Sequence, residues 1–280
     1  MTTPVRRGRS LRQRLLGYIT SGVGRLTKAW RILINAQTTL LHALTRTRPG
    51  RSGSTGTRLR TATAAFNTAL ATFNRAAMAF AESWAATDLP LIYREGAHTT
   101  LDHVDRPNRL FTWTARHQAQ VTALSAQYYA DITSRIQEAL RRARAFLRAA
   151  QDAARDTQSA RFDAVALRRD HPLDTVVYAN NAKHPVEAWA SAAITWQTAT
   201  TANTAAARTT FDELGTEWVE VRDGNGCGWR DHQDEDKAHR TLRTVQDALA
   251  HPTSHAHCIR EFLPRLDLIG RTEIRTGAPL

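Results

Sequence analysis

The sequence predicts a mainly α-helical protein, with long helices in an extended helical middle and a small α+β C-terminal unit. Apolar residues recur at helical spacing over most of the first 160 residues. Alanine is abundant, with 46 Ala against 20 aromatic residues, which suits long slender helices better than a thick sheet core. Strand-like alternation occurs only after about residue 160. We therefore expect three parts: residues 1–56, 57–160 and 161–280.

Residues 1–56 are predicted to form a basic amphipathic arm followed by a Gly/Ser linker. From Leu11 to Leu44 apolar residues return at helical spacing, and basic residues fall between them. Residues 46–57 are rich in Gly, Ser and Arg, which is typical of a linker.

Residues 57–160 are predicted to form a helical hairpin or stalk. The first helix, residues 58–86, places Leu59, Phe66, Phe73 and Phe80 at seven-residue spacing. This seam can self-associate or bind a partner helix, or its aromatic rings can pack on the next helix of the same chain. That next helix is predicted from Leu110 to about Arg155, without internal Gly or Pro.

Residues 161–280 alternate between strand and helix signals. We expect a strand at 175–178, a helix at 185–214 capped by Gly215, and a strand at 217–222. A polar loop at 224–240, a short helix at 241–250 and a returning strand at 258–263 complete the prediction.

The net charge of +12 is concentrated at the start of the chain. Residues 1–81 contain 14 Lys or Arg and no Asp or Glu, and only three of the 38 basic residues are Lys. Arg binds phosphate oxygens through a planar fork, which favours contact with a polyanion. The arm can thus bind double-stranded DNA, an acidic protein surface or, less expectedly, a membrane surface, or can be a solvated tail. The DNA-binding candidates are Arg6, Arg7, Arg9, Arg12, Arg14, Arg25, Lys28 and Arg31.

Both cysteines lie near histidines in the last part of the chain. Cys227 precedes His232 in a C-x4-H spacing, and His255 precedes Cys258 in an H-x2-C spacing. Two such pairs can supply four ligands to a tetrahedral zinc ion, a zinc-knuckle arrangement. The same residues are also compatible with two buried thiols or with a Cys227–Cys258 disulfide. Two cysteines in 280 residues exclude a disulfide-rich scaffold.

The C-terminal segment resembles a known family. The run from Asp223 to Trp229, with His232, Asp234, Asp236 and Ala238, is followed by His251-Pro252, Ser254-His255, Cys258, Arg260, Phe262 and Pro264-Arg265. This pattern is similar to the C-terminal signature of phage Mu F-like minor head proteins, in the form found in tailed phages of actinobacteria. Segments 91–97, 113–118 and 217–221 resemble the same family, so the resemblance covers about residues 90–265.

The resemblance implies a phage head morphogenesis protein, a minor capsid protein of the virion that acts near the portal vertex. Its implied partners are the portal protein, other capsid proteins and DNA, and its implied roles are assembly, DNA packaging or ejection. Its implied location is the virion interior near the portal, and the host cytoplasm during assembly. Members of the family carry C-x2-C and H-x2-C-x-C pairs, whereas this chain has Arg230 and Arg260 at two of those cysteine positions. Many members also have Gly at the position of Arg240.

Two enzymatic alternatives compete with this structural role. Acidic residues around the histidines, including Asp223, Asp231 and Asp234, can hold a divalent metal for phosphodiester hydrolysis, as in a metal-dependent nuclease. Ser254 beside His255 suggests a head maturation protease, although adjacency in sequence does not make a catalytic triad. We predict no catalytic residues and expect a non-enzymatic protein.

Overall fold

The computed structural model describes residues 10–46, 54–104, 111–155, 163–178, 180–223, 239–258 and 260–271. The protein is mainly helical with small antiparallel sheets towards the C-terminus, which confirms the predicted fold class. The long helices are α1 (Leu11–Thr45), α2 (Ser54–Ser83), α3 (Leu89–Asp102), α4 (Ala115–Arg155) and α6 (Val186–Asp212). The short elements are α5 (Ala164–Asp170), α7 (Val245–Ala250), β1 (Thr175–Val177), β2 (Lys183–Pro185), β3 (Trp218–Arg222), β4 (Leu242–Thr244) and β5 (Glu261–Pro264).

The chain divides into two compact units, and each is built from separate stretches of sequence. The first unit comprises Met1–Gly22, Trp84–Tyr128 and Ser191–Leu280, and the second comprises Val23–Ser83 and Tyr129–Ala190. Helices α1, α4 and α6 each contribute residues to both units. Within the predicted arm, Leu11–Thr45 therefore belongs to the folded core, because its apolar face is buried in these units.

The second unit has an aromatic core between α1, α2 and α4. The Trp30 ring of α1 lies 5.0 Å from the Phe73 ring of α2, and Phe66 of α2 lies 5.5 Å from Phe146 of α4. Phe66, Phe73 and Phe80 are all buried, so the seven-residue seam packs inside the chain. This outcome matches the intramolecular alternative, and it leaves these three rings covered rather than available for self-association.

The first unit contains a three-stranded antiparallel sheet in the order β4-β3-β5. Val219 and Val221 of β3 face Ala206 and Ala207 of α6, and Phe262 of β5 completes this core. Since residues two apart share one face of a strand, Trp218 points to the opposite face, where it clusters with Leu242 and Leu268. The strand is thus covered on both faces.

Helix α3 approaches α6 closely at Gly96. A Cβ atom on this residue would lie 2.2 Å from the carbonyl oxygen of Ala202. Glycine is therefore required here because the two backbones meet without room for a side chain. Gly215 has the other glycine-dependent conformation, with φ of +68° just after α6, as expected for a helix C-cap.

Several boundaries differ from the sequence predictions. Helix α2 begins at Ser54, within the segment predicted as a Gly/Ser linker. The long helix α4 begins at Ala115 rather than Leu110, because Phe111–Thr114 are not helical. The segment predicted as a helix from residue 241 begins as strand β4, which pairs with β3 before α7 starts at Val245. Strand β2 was not predicted, and it pairs with β1 across the turn at Asn181.

Candidate nucleic-acid interface and metal centre

The positive charge of the chain is concentrated in the second unit. This unit carries 19 Lys or Arg and 9 Asp or Glu, a net charge of +10 out of the +12 of the whole chain. Nine of the 14 basic residues among the first 81 lie in this unit, and the other five lie in the first unit. Helices α4 and α5 add further arginines to the second unit.

The outer side of α1 and the turn residue that follows it present a row of exposed basic side chains, which we call the basic face: Lys28, Arg31 and Arg46. At 100° per residue these positions lie opposite the buried side chains of Leu26, Leu33 and Leu40. Eighteen residues separate Lys28 from Arg46, so the row spans about 27 Å at 1.5 Å per residue.

No acidic side chain of α1 or α2 compensates the basic face. Neither helix contains Asp or Glu before Glu82, and α2 adds the exposed residues Arg58, Arg60 and Arg75. The arginines of α4 and α5 differ in this respect. Among them, Arg141 pairs with Glu138, Arg155 with Asp152 and Arg169 with Asp170.

Other predicted DNA-binding residues have partners within the protein. The Nε atom of Arg14 lies 2.7 Å from a carboxylate oxygen of Glu95, and its Nη2 donates to the Thr99 hydroxyl at 2.6 Å. Arg25 donates to the Ser83 hydroxyl at 3.3 Å and lies 5.2 Å from the centre of the Phe80 ring. These two arginines therefore hold α1 against its neighbouring helices.

The backbone of Arg12 forms a hydrogen bond with the half-buried carboxylate of Glu261 in β5. Burial raises the pKa of Glu261, while the backbone of Arg12, through a hydrogen bond, and the charges of Arg12, Arg14 and Arg222 lower it. Arg6, Arg7 and Arg9 lie outside the described residues. Lys28 and Arg31 are thus the predicted candidates that the structure places on an exposed, uncompensated surface.

Half of the predicted zinc knuckle lies in the described part of the chain. The Sγ atom of Cys258 is buried and accepts a hydrogen bond from the Ser254 hydroxyl at 3.2 Å, and the Cys258 amide donates to the His255 carbonyl at 2.9 Å. Cys227 and His232 lie outside the described residues. Within those residues, no group of three His, Cys, Asp or Glu side chains is arranged to hold a metal ion, so zinc stays a prediction.

A buried ion pair lies close in sequence to the predicted zinc knuckle. Arg260, placed just before β5, donates from Nε and Nη2 to the two carboxylate oxygens of Asp223 at 2.7 and 3.2 Å. The side chains of Arg260 and Asp223 are only 1% and 4% exposed. Since both oxygens of Asp223 already accept from an arginine, this carboxylate is a poor metal ligand for a nuclease.

Arg240 has a backbone conformation that favours glycine. Its φ angle is +64°, and its amide donates to the Val221 carbonyl at 2.8 Å, at the start of the β4 connection. Few residues with a Cβ atom adopt this region. The position coincides with the glycine that the resemblance implies.

A buried polar cluster at the end of the first unit was not predicted. The Tyr93 hydroxyl lies 2.9 Å from Nδ1 of His117, and Nε2 of His117 lies 3.9 Å from a carboxylate oxygen of Glu213. Burial raises the pKa of Tyr93 and of Glu213, and it lowers the pKa of His117. The imidazole and the phenol are therefore both held in their neutral forms where they share a hydrogen bond, and aromatic rings of Phe111 and Trp113 pack around the imidazole.

The sequence contained one signal for this cluster. His117 occupies an apolar position in the periodic pattern of α4, and a histidine on a buried face needs a polar partner. The partner could not be named, because Tyr93 and Glu213 lie on α3 and beyond the end of α6.

Comparisons with known proteins found no similar protein. Neither protein-family models, nor curated proteins, nor solved structures give a match. Within the described residues, none of the helices combines the length and the apolar character needed to cross a bilayer.

Proposed function

We propose that this protein is a minor head protein of a tailed phage, a non-enzymatic component that binds double-stranded DNA through the basic face of its second unit. In this proposal it acts near the portal vertex in assembly, packaging or ejection, together with portal and capsid proteins. Its location is the virion interior near the portal, and the host cytoplasm during assembly.

The observation that carries the DNA contact is the uncompensated charge of α1. Lys28 and Arg31 are exposed along one side of a helix whose sequence contains no Asp or Glu, and Arg46 is exposed directly after its last residue. Phosphate binding by Lys and Arg releases condensed counterions and does not depend on base sequence. A protein that meets DNA of any sequence, as packaging requires, needs this kind of contact rather than base recognition.

Two features of the first unit support the head-protein assignment. Segments 217–221 and 262–265, which carry part of the resemblance, contribute the adjacent strands β3 and β5, with Val221 opposite Phe262. Arg240 adopts a positive φ at the position where many family members have glycine. The signature residues in the described part of the chain thus contribute to one small folded module, as expected for a folding and docking element.

Two contacts in this module favour a non-enzymatic role. Asp223 is bound on both oxygens by Arg260, and the Ser254 hydroxyl donates to Cys258 rather than to His255. A nuclease needs carboxylates that are open to a metal, and a serine protease needs a serine hydroxyl that is hydrogen-bonded to its histidine.

The DNA contact is tested by the salt dependence of binding. The triple variant Lys28→Gln, Arg31→Gln, Arg46→Gln removes the basic face while leaving the buried side of α1 intact. Fluorescence anisotropy with a short DNA duplex, between about 50 and 300 mM salt, gives the slope of log Kd against log salt. We expect the slope to fall by up to about 2.7, because each lost phosphate contact removes about 0.9.

A matched control removes the same charge from paired positions. The variant Arg141→Gln, Arg155→Gln, Arg169→Gln also lowers the net charge of the second unit by three, at side chains that are 67%, 75% and 73% exposed. We expect its slope to change by less than one contact. Equal slopes for the two variants, or no binding by the wild type at low salt, would refute the DNA contact at this face.

A further inference from the structure

Helices α1 and α2 line two neighbouring apolar cavities within the second unit. One cavity of about 330 Å³ runs from Arg25 to Ile32 on α1 and from Ala76 to Ser83 on α2. A second cavity of about 360 Å³ runs from Ile32 to Leu40 on α1 and from Ala62 to Ala69 on α2. Both cavities are lined by Ile32, so they are neighbours along α1. We call this feature the α1–α2 groove.

The groove has the length and the surface of a helix-binding site. Its α1 wall extends over 15 residues, from Arg25 to Leu40, or about 22 Å, which is about four turns of a helix. Phe66 and Phe80 lie beneath its apolar floor, at 1% and 5% exposure, and Ile32 lines both cavities. Its α2 wall is built largely from alanines, which allow another backbone to approach closely: Ala62, Ala65, Ala69, Ala76 and Ala79.

The charge around the groove selects the kind of helix. Arg25 and Lys28 line one end, Arg31 is exposed on the same helix, and the two helices together contain a single acidic residue, Glu82. A second copy of this chain would bring the same positive surface against itself, which is unfavourable. DNA carries the required negative charge, but its phosphates cannot fill an apolar floor.

We propose that the α1–α2 groove binds an amphipathic helix of another protein, with small apolar residues on one face and acidic residues on its flanks. The apolar face enters the groove, and the carboxylates lie beside Lys28 and Arg31. This interaction goes beyond the DNA contact, because it depends on the apolar floor and not only on the charge of α1. It follows the mode in which an amphipathic helix binds in a groove.

The test fills the groove from its exposed edge. Ala65 and Ala79 line the two cavities and are exposed, so Ala65→Trp and Ala79→Trp place bulk in the groove without disturbing the core. Ala71→Trp is the matched control, since Ala71 is exposed on α2 but lines neither cavity. Circular dichroism first verifies that each variant is folded.

The probe is a labelled helical peptide of about 18 residues, long enough to span the groove. It has Ala and Leu along one face and Glu on the flanks, and fluorescence anisotropy measures its binding to the full chain. We expect wild type and Ala71→Trp to bind it equally, and the two groove variants to bind at least about tenfold more weakly, or 1.4 kcal/mol. A version with Lys in place of Glu should not bind.

Three outcomes overturn the proposal. The first is no binding of the acidic peptide, or equal binding of a scrambled peptide with the same composition. The second is a dimer of the wild-type chain in sedimentation velocity that Ala65→Trp dissociates, which would identify a second copy as the occupant. The third is loss of DNA affinity in Ala65→Trp and Ala79→Trp, which would identify the groove as part of the DNA contact. Failure of the peptide test leaves the DNA titrations of the basic face unaffected.

Discussion

Replacement of Gly96 by alanine tests the close contact between α3 and α6. The new Cβ would lie 2.2 Å from the Ala202 carbonyl oxygen and 2.9 Å from its Cα and carbonyl carbon. The first distance is about 1 Å or more below ordinary van der Waals contact. Because the obstacle is the backbone of a buried helix, no side-chain rotation can relieve it, and one of the two helices must move.

The expected cost follows from two opposing effects. Overpacking a tight core costs about 1 to 3 kcal/mol, and a backbone obstacle places Gly96→Ala at the upper end of that range or above it. Alanine regains up to about 1 kcal/mol because it restricts the unfolded chain and favours the helix. We therefore expect a net loss of about 2 kcal/mol, or a Tm lower by about 4 to 8 °C.

Two other glycines supply controls for which substitution by alanine should raise stability rather than lower it. A Cβ on Gly17 or Gly24, both within α1, meets nothing within 4 Å. Gly17→Ala and Gly24→Ala should each stabilise the protein by about 0.5 to 1 kcal/mol. Urea and thermal unfolding, followed by circular dichroism, measure the stability of Gly96→Ala, Gly17→Ala and Gly24→Ala. The reasoning is refuted if Gly96→Ala is as stable as the wild type, or if the two controls are destabilised as much as Gly96→Ala.

Two further predictions concern buried polar groups of the first unit. Arg260→Met leaves the Asp223 carboxylate buried without its partner, so we expect it to lower the free energy of unfolding in urea by about 3 to 5 kcal/mol. The double variant with Asp223→Asn should recover part of this loss. Full stability of Arg260→Met would contradict the role of the ion pair. Burial lowers the pKa of His117, so below about pH 6.5 the unfolded chain binds more protons than the native state, and stability decreases as pH falls. His117→Gln should flatten the decline between about pH 7 and 5, and an unchanged pH dependence of urea unfolding would contradict this.

The helical part of the fold was predictable because its signal is local. The apolar residues of α1 and α4 repeat with helical spacing over several turns, and Gly215 marks the end of α6 in sequence as it does in structure. Strand β4 was missed for a local reason as well. Its three residues run directly into α7, and so short a segment has no distinct periodicity.

The partners of individual side chains were not predictable, because they are distant in sequence. Arg14 pairs with Glu95, which lies 81 positions later in the sequence. Because of this contact, Arg14 stabilises the fold instead of being available to bind DNA. The same limitation concealed the link between Tyr93 and His117 and the pairing of Arg260 with Asp223. Composition located the excess charge, but only the packing of α1 separated exposed Lys28 and Arg31 from engaged Arg14 and Arg25.

The burial of α1 also changes how its charges must be studied. Removing residues 1–56 would delete Leu15, Leu26 and Trp30, all buried almost completely, together with the basic face. Such a truncation would combine loss of folding with loss of charge. Substitutions on the exposed side of the helix separate the two effects.

The scarcity of lysine gives the exposed position of Lys28 a practical use. The chain has only three lysines, and one of them lines the α1–α2 groove. Amine-directed reagents, which ignore guanidinium groups, thus have few targets here. Once the exposed Lys183 is replaced by arginine, a reporter dye or a cross-linker coupled to Lys28 would monitor this side of the molecule with few other modified sites.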